Sequence, residues 1–341
     1  MSFQKILLVQ TAYLGDVILT TPLIRAIKQV FPDSQLDVLV IPQTAGALAN
    51  NPHIDQTILF DKRGQKRTAF KNVLQILKAR RHELAFSPHS SLTTGLLIRL
   101  AGIPTRVGFN RNPIRFFLTH KAPVPSDGLT IEKYLKLLSF FSDQTFSIQT
   151  QLFPSEEDRE KADRLWRQVD AQRPTIALAP GSVWPTKRWP AEYYAQLVAL
   201  LKKRFNLIFI GSGDERELCQ QIIDQAEAQQ ALNLAGRLSI LQSAAVIEKC
   251  DLMICNDSGA MHIANAVQTD VFAFFGPTVR RFGFFPFRDE DWVFEVPDLY
   301  CRPCGKHGHH ECPEDHFRCM LEIKPQTVWQ KIKEKFDVRL D

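Results

Sequence analysis

The sequence predicts an α/β protein built from two doubly wound parallel-sheet (Rossmann-like) domains. Three observations carry that expectation. Short, nearly continuous apolar runs such as residues 5–10 (KILLVQ) and 175–179 (TIALA) read as strands buried on both faces of a parallel sheet. Segments of helical spacing alternate with those runs across short loops. The series loosens in mid-chain and then begins again, and 341 residues is more than one core usually holds.

In the first half, residues 5–10 end in TAYLGD (11–16), and residues 17–30 have helical spacing. Strand candidates then follow at 35–41, 57–60, 83–87 and 106–109, separated by helices at 44–50, 68–80 and 91–101. Asn51-Pro52 and Ile103-Pro104 punctuate the series as turns. Pro123, Pro125 and Pro154 surround a helix at 131–141, which puts the domain boundary between 155 and 156. The second domain, 156–341, opens on a charged helix with Glu156 and Glu157 in its first turn, where the macrodipole favours them. Strands at 175–179, 206–210 and 231–234 follow, then a helix at 239–249. Residues 251–276 read as strand, tight turn, helix and strand. A Cys-rich segment (301–320) and a final helix (325–336) close the chain.

Composition narrows the function classes. Apolar content of 45% with 23% charged residues is that of a soluble globular protein. No run of about 18 uncharged apolar residues occurs, so no spanning helix is expected. The N-terminus enters a strand pattern at once and lacks a leader's long apolar stretch, so a cytoplasmic location is expected. A net charge of +5 permits an anionic partner without demanding one, and no nucleic-acid motif accompanies it. The first turn is not GxGxxG, which removes the main support for a dinucleotide oxidoreductase.

Ligands of open α/β folds bind at the carboxyl edge of the sheet, so the loops after strands carry the candidate residues. Asp16 stands where the first such loop becomes a helix, either as its N-cap or as a catalytic carboxylate. Lys62, Arg63, Lys66 and Arg67, then Arg106, Arg111 and Arg115, are either solvated faces or a cradle for an acidic acceptor. The loop PGSVWPTKRWP (180–190) offers amides at Gly181 and Ser182 and cations at Lys187 and Arg188, a plausible diphosphate clamp. Glu215, beyond the strand at 206–210, is placed to accept from ribose hydroxyls. Asp257, Ser258 and Gly259 open a helix whose first amides favour a phosphate, or else they simply cap it. His262, one turn on, is either a donor contact or a buried structural histidine.

Three motifs taken together carry a resemblance. GDVILTTPLIRAIKQVFP, PGSVWPTKRWP, and NDSGAMHIANA followed by FFGPT are similar, in order, to those of glycosyltransferase family 9. The likeness covers essentially the whole chain and is nearest to the ADP-heptose:lipopolysaccharide heptosyltransferases, with a loop most like that of heptosyltransferase II. The resemblance implies a GT-B architecture, with two such domains facing across a cleft, acceptor on the first and sugar nucleotide on the second. It implies inverting transfer of a heptose from ADP-heptose to an anionic lipopolysaccharide inner core, at the cytoplasmic face of the inner membrane. Asp16 becomes the base, and Lys187, Ser258 and Gly259 hold the diphosphate with Asp257 shaping the turn. Lys62, Arg63 and Arg106 face the acceptor, and no catalytic metal or cofactor is required. Another family 9 transferase, or a GT-B-like nucleotide-sugar epimerase, remains the alternative.

The tail stands apart from that chemistry. Cys301, Cys304, Cys312 and Cys319 lie within nineteen residues and begin with CxxC, a spacing that can wrap a structural zinc. His307, His309, His310 and His316 are alternative ligands, and disulfides or free thiols are the other readings.

Overall fold

The computed structural model describes residues 2–62, 66–111 and 113–337. The chain divides into two compact units, Met1–Phe153 and Pro154–Asp341, against the 155/156 division expected from the proline pattern.

The first unit holds β1 (Lys5–Val9), β2 (Gln35–Val40), β3 (Gln56–Leu59), β4 (Leu84–Ser87), β5 (Thr105–Phe109) and β6 (His120–Ala122). They form one parallel sheet in the order β3-β2-β1-β4-β5-β6. Ile6, Leu7, Leu8 and Val9 are fully buried, as a strand covered by helices on both faces must be. Val9, Leu39, Ala85, Leu97 and Ile114 belong to the core on one of those faces.

The second unit holds β7 (Thr175–Ala179), β8 (Asn206–Phe209), β9 (Leu232–Asn233), β10 (Leu252–Asn256), β11 (Val271–Phe275) and β12 (Trp292–Glu295). Its sheet, again parallel, runs β12-β11-β10-β7-β8-β9. Both sheets are therefore wound alike: the chain starts in the middle, moves outward for three strands, then returns to build the other side. Each winding leaves a switch point, between β1 and β4 in one unit and between β7 and β10 in the other. Neighbouring loops diverge there, and the crevice between them is where such sheets bind ligands. The final helix, Pro325–Phe336, buries Val328 and Ile332 in the core of the second unit.

Four local expectations differ from the structure, one being helix 44–50, which is a short α-helix, Pro42–Ala45, followed by a 3₁₀ stretch, Gly46–Leu48. Residues 17–30 form two helices, Leu14–Leu19 and Thr21–Val30, because Pro22 has no N–H to continue the first. Helix 131–141 is an α-helix, Thr130–Leu135, followed by a 3₁₀ stretch, Lys136–Phe140. Strands β6 and β12, edge strands of three and four residues, are not among the expected strands.

Candidate active site

In the first unit, β1 delivers the chain to the switch point, where the helix Leu14–Leu19 begins. Tyr13, not Asp16, is its N-cap, and Asp16 lies in the first turn. The Asp16 carboxylate accepts a hydrogen bond from the Tyr134 hydroxyl at 3.1 Å. Tyr134 comes from the helix Thr130–Leu135. Burial, and then the neighbouring Asp16 charge, push the Tyr134 hydroxyl well above its usual pKa, so it stays a proton donor.

Basic groups collect at the same sheet edge. Lys62, just past β3, donates to Thr11 Oγ1 at 2.8 Å and lies 5.4 Å from the centre of the Phe60 ring. Burial lowers its pKa. His89 follows β4, and its pKa is lowered by burial and then by repulsion from Lys62 and Arg111. Lys62 and Arg111 thus bring two positive charges to the ends of β3 and β5, near enough to His89 at the end of β4 to disfavour its protonated form. Arg63 lies outside the described residues. Arg106 does not join these charges: it stands at the amino end of β5, the opposite edge of the sheet. Its guanidinium donates to the carbonyls of Phe117 (2.6 Å), Pro104 (3.2 Å) and Ile103, which makes it a brace for the loop before β5.

In the second unit, the switch point brings the loop after β7 against the end of β10. Asn256, fully buried as the last residue of β10, makes the junction. Its amide donates to the carbonyls of Pro180 (2.8 Å) and Gly181 (3.2 Å), and its oxygen accepts from the Trp189 amide at 2.9 Å. Trp189 anchors the loop's far end, stacked on Phe274 at 4.3 Å with its indole N–H on the Ile323 carbonyl. Lys187 is thereby carried to Asp257, Nζ to Oδ2 at 2.5 Å, and the Thr278 hydroxyl donates to the same oxygen at 2.7 Å.

The remaining donor-side residues have distinct fates. Ser258 is the N-cap of the helix Gly259–Ala266, and its side chain makes no capping hydrogen bond; Asp257 Oδ2 is engaged by Lys187 and Thr278. Ser182 is buried, and its carbonyl accepts from Arg188 Nε at 2.8 Å, so Arg188 closes the loop on itself. Glu215 accepts from the Ser212 amide at 2.7 Å and lies across two glycines. A Cβ on Gly181 would meet its carboxylate at 1.9 Å, and one on Gly211 at 2.8 Å. His262 is buried, and burial pushes its pKa down to about 4, so the ring is neutral at physiological pH.

The Cys-rich segment gathers its thiols without setting them as ligands. Cys319 lies in the apolar core and its thiol is pushed up to about 12, by burial first and then by Cys304, Cys312 and Cys301 nearby. Cys304 points its S–H at the Cys301 carbonyl (3.2 Å), and Cys301 Sγ stands 3.8 Å from His316 Nε2. Among the described residues, no group of three or more His, Cys, Asp or Glu is arranged to hold a metal ion.

Residue type and spacing do not single out Asn256, Thr278, Tyr134 or His89. Asn256 and Thr278 stand inside two motifs, NDSG and FGPT, but their partners are distant in sequence. For Tyr134 and His89 the sequence carries no signal.

The arrangement defines two chemistries. The first unit offers a carboxylate held by a buried phenol beside clustered cations. The second offers a nearly buried ammonium at a helix N-terminus, an anion-binding combination. The chain covers 97% of a glycosyl transferase family 9 structure from Veillonella parvula with 98% of its own length, at TM-score 0.87 and 23% identity. It covers 98% of the structure of E. coli ADP-heptose lps heptosyltransferase II with 97% of its own, at TM-score 0.78 and 24% identity. The fold class is therefore that of GT-B glycosyltransferases. Residues 71–315 match the model of glycosyltransferase family 9 (heptosyltransferase), and the chain belongs to that family. A relative by sequence is lipooligosaccharide heptosyltransferase 2 of Campylobacter jejuni, 27% identical over 96% of this chain and 98% of its own length.

Proposed function

We propose that this glycosyltransferase is an inverting heptosyltransferase that moves a heptose from ADP-heptose to the anionic inner core of lipopolysaccharide. The observation that carries the reading is the Lys187–Asp257 pair beside the N-terminus of Gly259–Ala266. A departing diphosphate gains charge as the glycosidic bond breaks, and a preorganised cation with helix amides is what stabilises it. Of the three donors on the Lys187 ammonium, Asp257 takes one and so aims the others. The names of the sequence relatives, heptosyltransferase 2 among them, support the heptose donor.

Asp16 serves as the base. It removes the proton of the acceptor hydroxyl as that oxygen attacks the anomeric carbon on the face opposite the leaving ADP. Tyr134 holds the carboxylate in place. Lys62 and Arg111 take the anionic groups of the acceptor, and Glu215 the adenosine side of the donor. Lys187 and the helix terminus do the work a divalent ion does elsewhere, so turnover proceeds in chelator. We place the enzyme at the cytoplasmic face of the inner membrane, held peripherally through its anionic acceptor. That placement is consistent with the +5 charge and with there being, among the described residues, no helix long and apolar enough to cross a membrane. We further propose a structural zinc in the segment 301–320, taken up by Cys301, Cys304, Cys312 and Cys319.

The test is direct assay of the purified chain with ADP-heptose and core oligosaccharide lacking its heptose. The expected result is acceptor gaining the mass of one heptose with release of ADP. Donor turned over equally without acceptor would point to an epimerase or hydrolase and end the proposal.

A further inference from the structure

The Cys-rich segment does more than close the second unit, because residues 302–309 fasten both loops that meet at Asp257. On one side, Arg302 is nearly buried, and its guanidinium donates to the carbonyls of Gly276 (2.6 Å), Phe275 (3.2 Å), Thr278 (2.9 Å) and Val296. It also pairs with Glu295 at 3.0 Å. The Cys304 amide adds a bond to the Pro277 carbonyl at 3.1 Å. These bonds fix the main chain of Thr278, whose hydroxyl holds Asp257.

On the other side, His309 pairs with Thr186, the residue before Lys187. The Thr186 amide and hydroxyl both donate to the His309 carbonyl, at 3.1 and 3.0 Å, and the His309 amide donates back to Thr186 Oγ1 at 2.7 Å. His307 stacks on Trp184 at 6.2 Å between ring centres. Gly308 lies flat against the loop: a Cβ there would meet Trp184 Cβ at 2.6 Å, with Lys187 Cγ and Thr186 Oγ1 at 3.0 Å. No side chain fits between the segment and the stem of Lys187.

We propose that residues 302–309 are a strap that positions the Lys187 ammonium for the donor diphosphate, with Thr186, Gly308 and Arg302 as positioning residues. The inference rests on Lys187 being the diphosphate cation. A strap explains why a loop carrying a flexible lysine is pinned from outside at the residue before it. The ordering cost of the lysine is met in the fold and not at the moment of binding.

Titration of ADP into five variants tests the strap and its premise separately. Thr186→Val and Gly308→Ala should each weaken ADP about tenfold, while Thr186→Ser, which keeps the hydroxyl, should bind within about twofold of the parent. In a Lys187→Ala background, Thr186→Val should weaken ADP no further, because both act through the same ammonium. Thr186→Val binding ADP like the parent, or adding its full loss to that of Lys187→Ala, overturns the strap. Lys187→Ala binding ADP like the parent instead overturns the premise, and the strap falls with it.

Discussion

Lys187 Nζ stands 2.5 Å from Asp257 Oδ2, with only 12% and 8% of the two side chains exposed. Seventy residues separate the partners in sequence. They meet because the loop after β7 and the end of β10 flank the switch point of the second sheet. The pair gives the donor site both its cation and the group that aims it.

Lys187→Ala should therefore weaken ADP by at least about tenfold and also slow turnover, since the diphosphate's charge grows in the transition state. It should lower stability as well, because the nearly buried Asp257 carboxylate loses its cation while keeping the Thr278 hydroxyl. Calorimetric titration with ADP alongside single-turnover rates separates the effects. Unchanged ADP affinity would show that the diphosphate is held elsewhere in the loop.

Asp16→Asn should cut turnover on the order of a hundred- to ten-thousand-fold while leaving ADP affinity nearly unchanged. The amide still accepts from Tyr134 but cannot take a proton. Turnover within about tenfold of the parent would return Asp16 to a structural role in the first turn of its helix.

Lys62→Ala should raise the KM for acceptor and flatten its dependence on salt, with donor affinity untouched. Arg106→Ala should behave differently. Its guanidinium holds backbone carbonyls at the other sheet edge, so it should lower the melting temperature and spare the acceptor KM. The opposite pattern in steady-state kinetics would reverse the two assignments.

His262 gives the second unit a pH dependence of definite sign. Unfolded, the imidazole takes up its proton near pH 6.5; folded, burial delays this to about 4. Between those values the unfolded chain binds more protons, so stability falls as pH drops through the window. The interval corresponds to about 3 kcal/mol. Denaturant midpoints measured from pH 7 to 4 should fall less steeply in His262→Gln, and equal slopes would remove the histidine from the account.

Protein purified without chelator should carry about one zinc per chain, and stripping it should lower the melting temperature. Binding must draw the Cys319 thiol out of its protonated, buried state, so uptake should weaken as pH falls. Elemental analysis finding no zinc in protein kept reduced would leave the gathered thiols as packing groups.

How much of this was legible in the sequence depended on how local each signal was. The buried runs KILLVQ and TIALA announced central strands, since a strand covered on both faces must be apolar throughout. The loops after them announced ligand-bearing edges. Pro22 breaks a helix that periodicity alone draws as continuous, and β6, His120-Lys121-Ala122, has no apolar run to mark it as a strand. Arg106 misled because a basic residue near a loop looks the same at either end of a strand.

By itself the sequence determined the alternation of strands and helices, the restart of that series in the second half, and the three motifs that place the chain in its family. Each is a matter of neighbouring residues, or of spacing along one element. Only the tertiary structure decided that Lys187 meets Asp257 and Thr278, that Tyr134 holds Asp16, and that Gly308 and Thr186 tie the Cys-rich segment to the lysine loop. Those partners lie from 21 to 123 residues apart. Pairings at such separations follow from how a sheet is wound and which loops its switch point brings together. Nothing in the local chemistry of either partner encodes them.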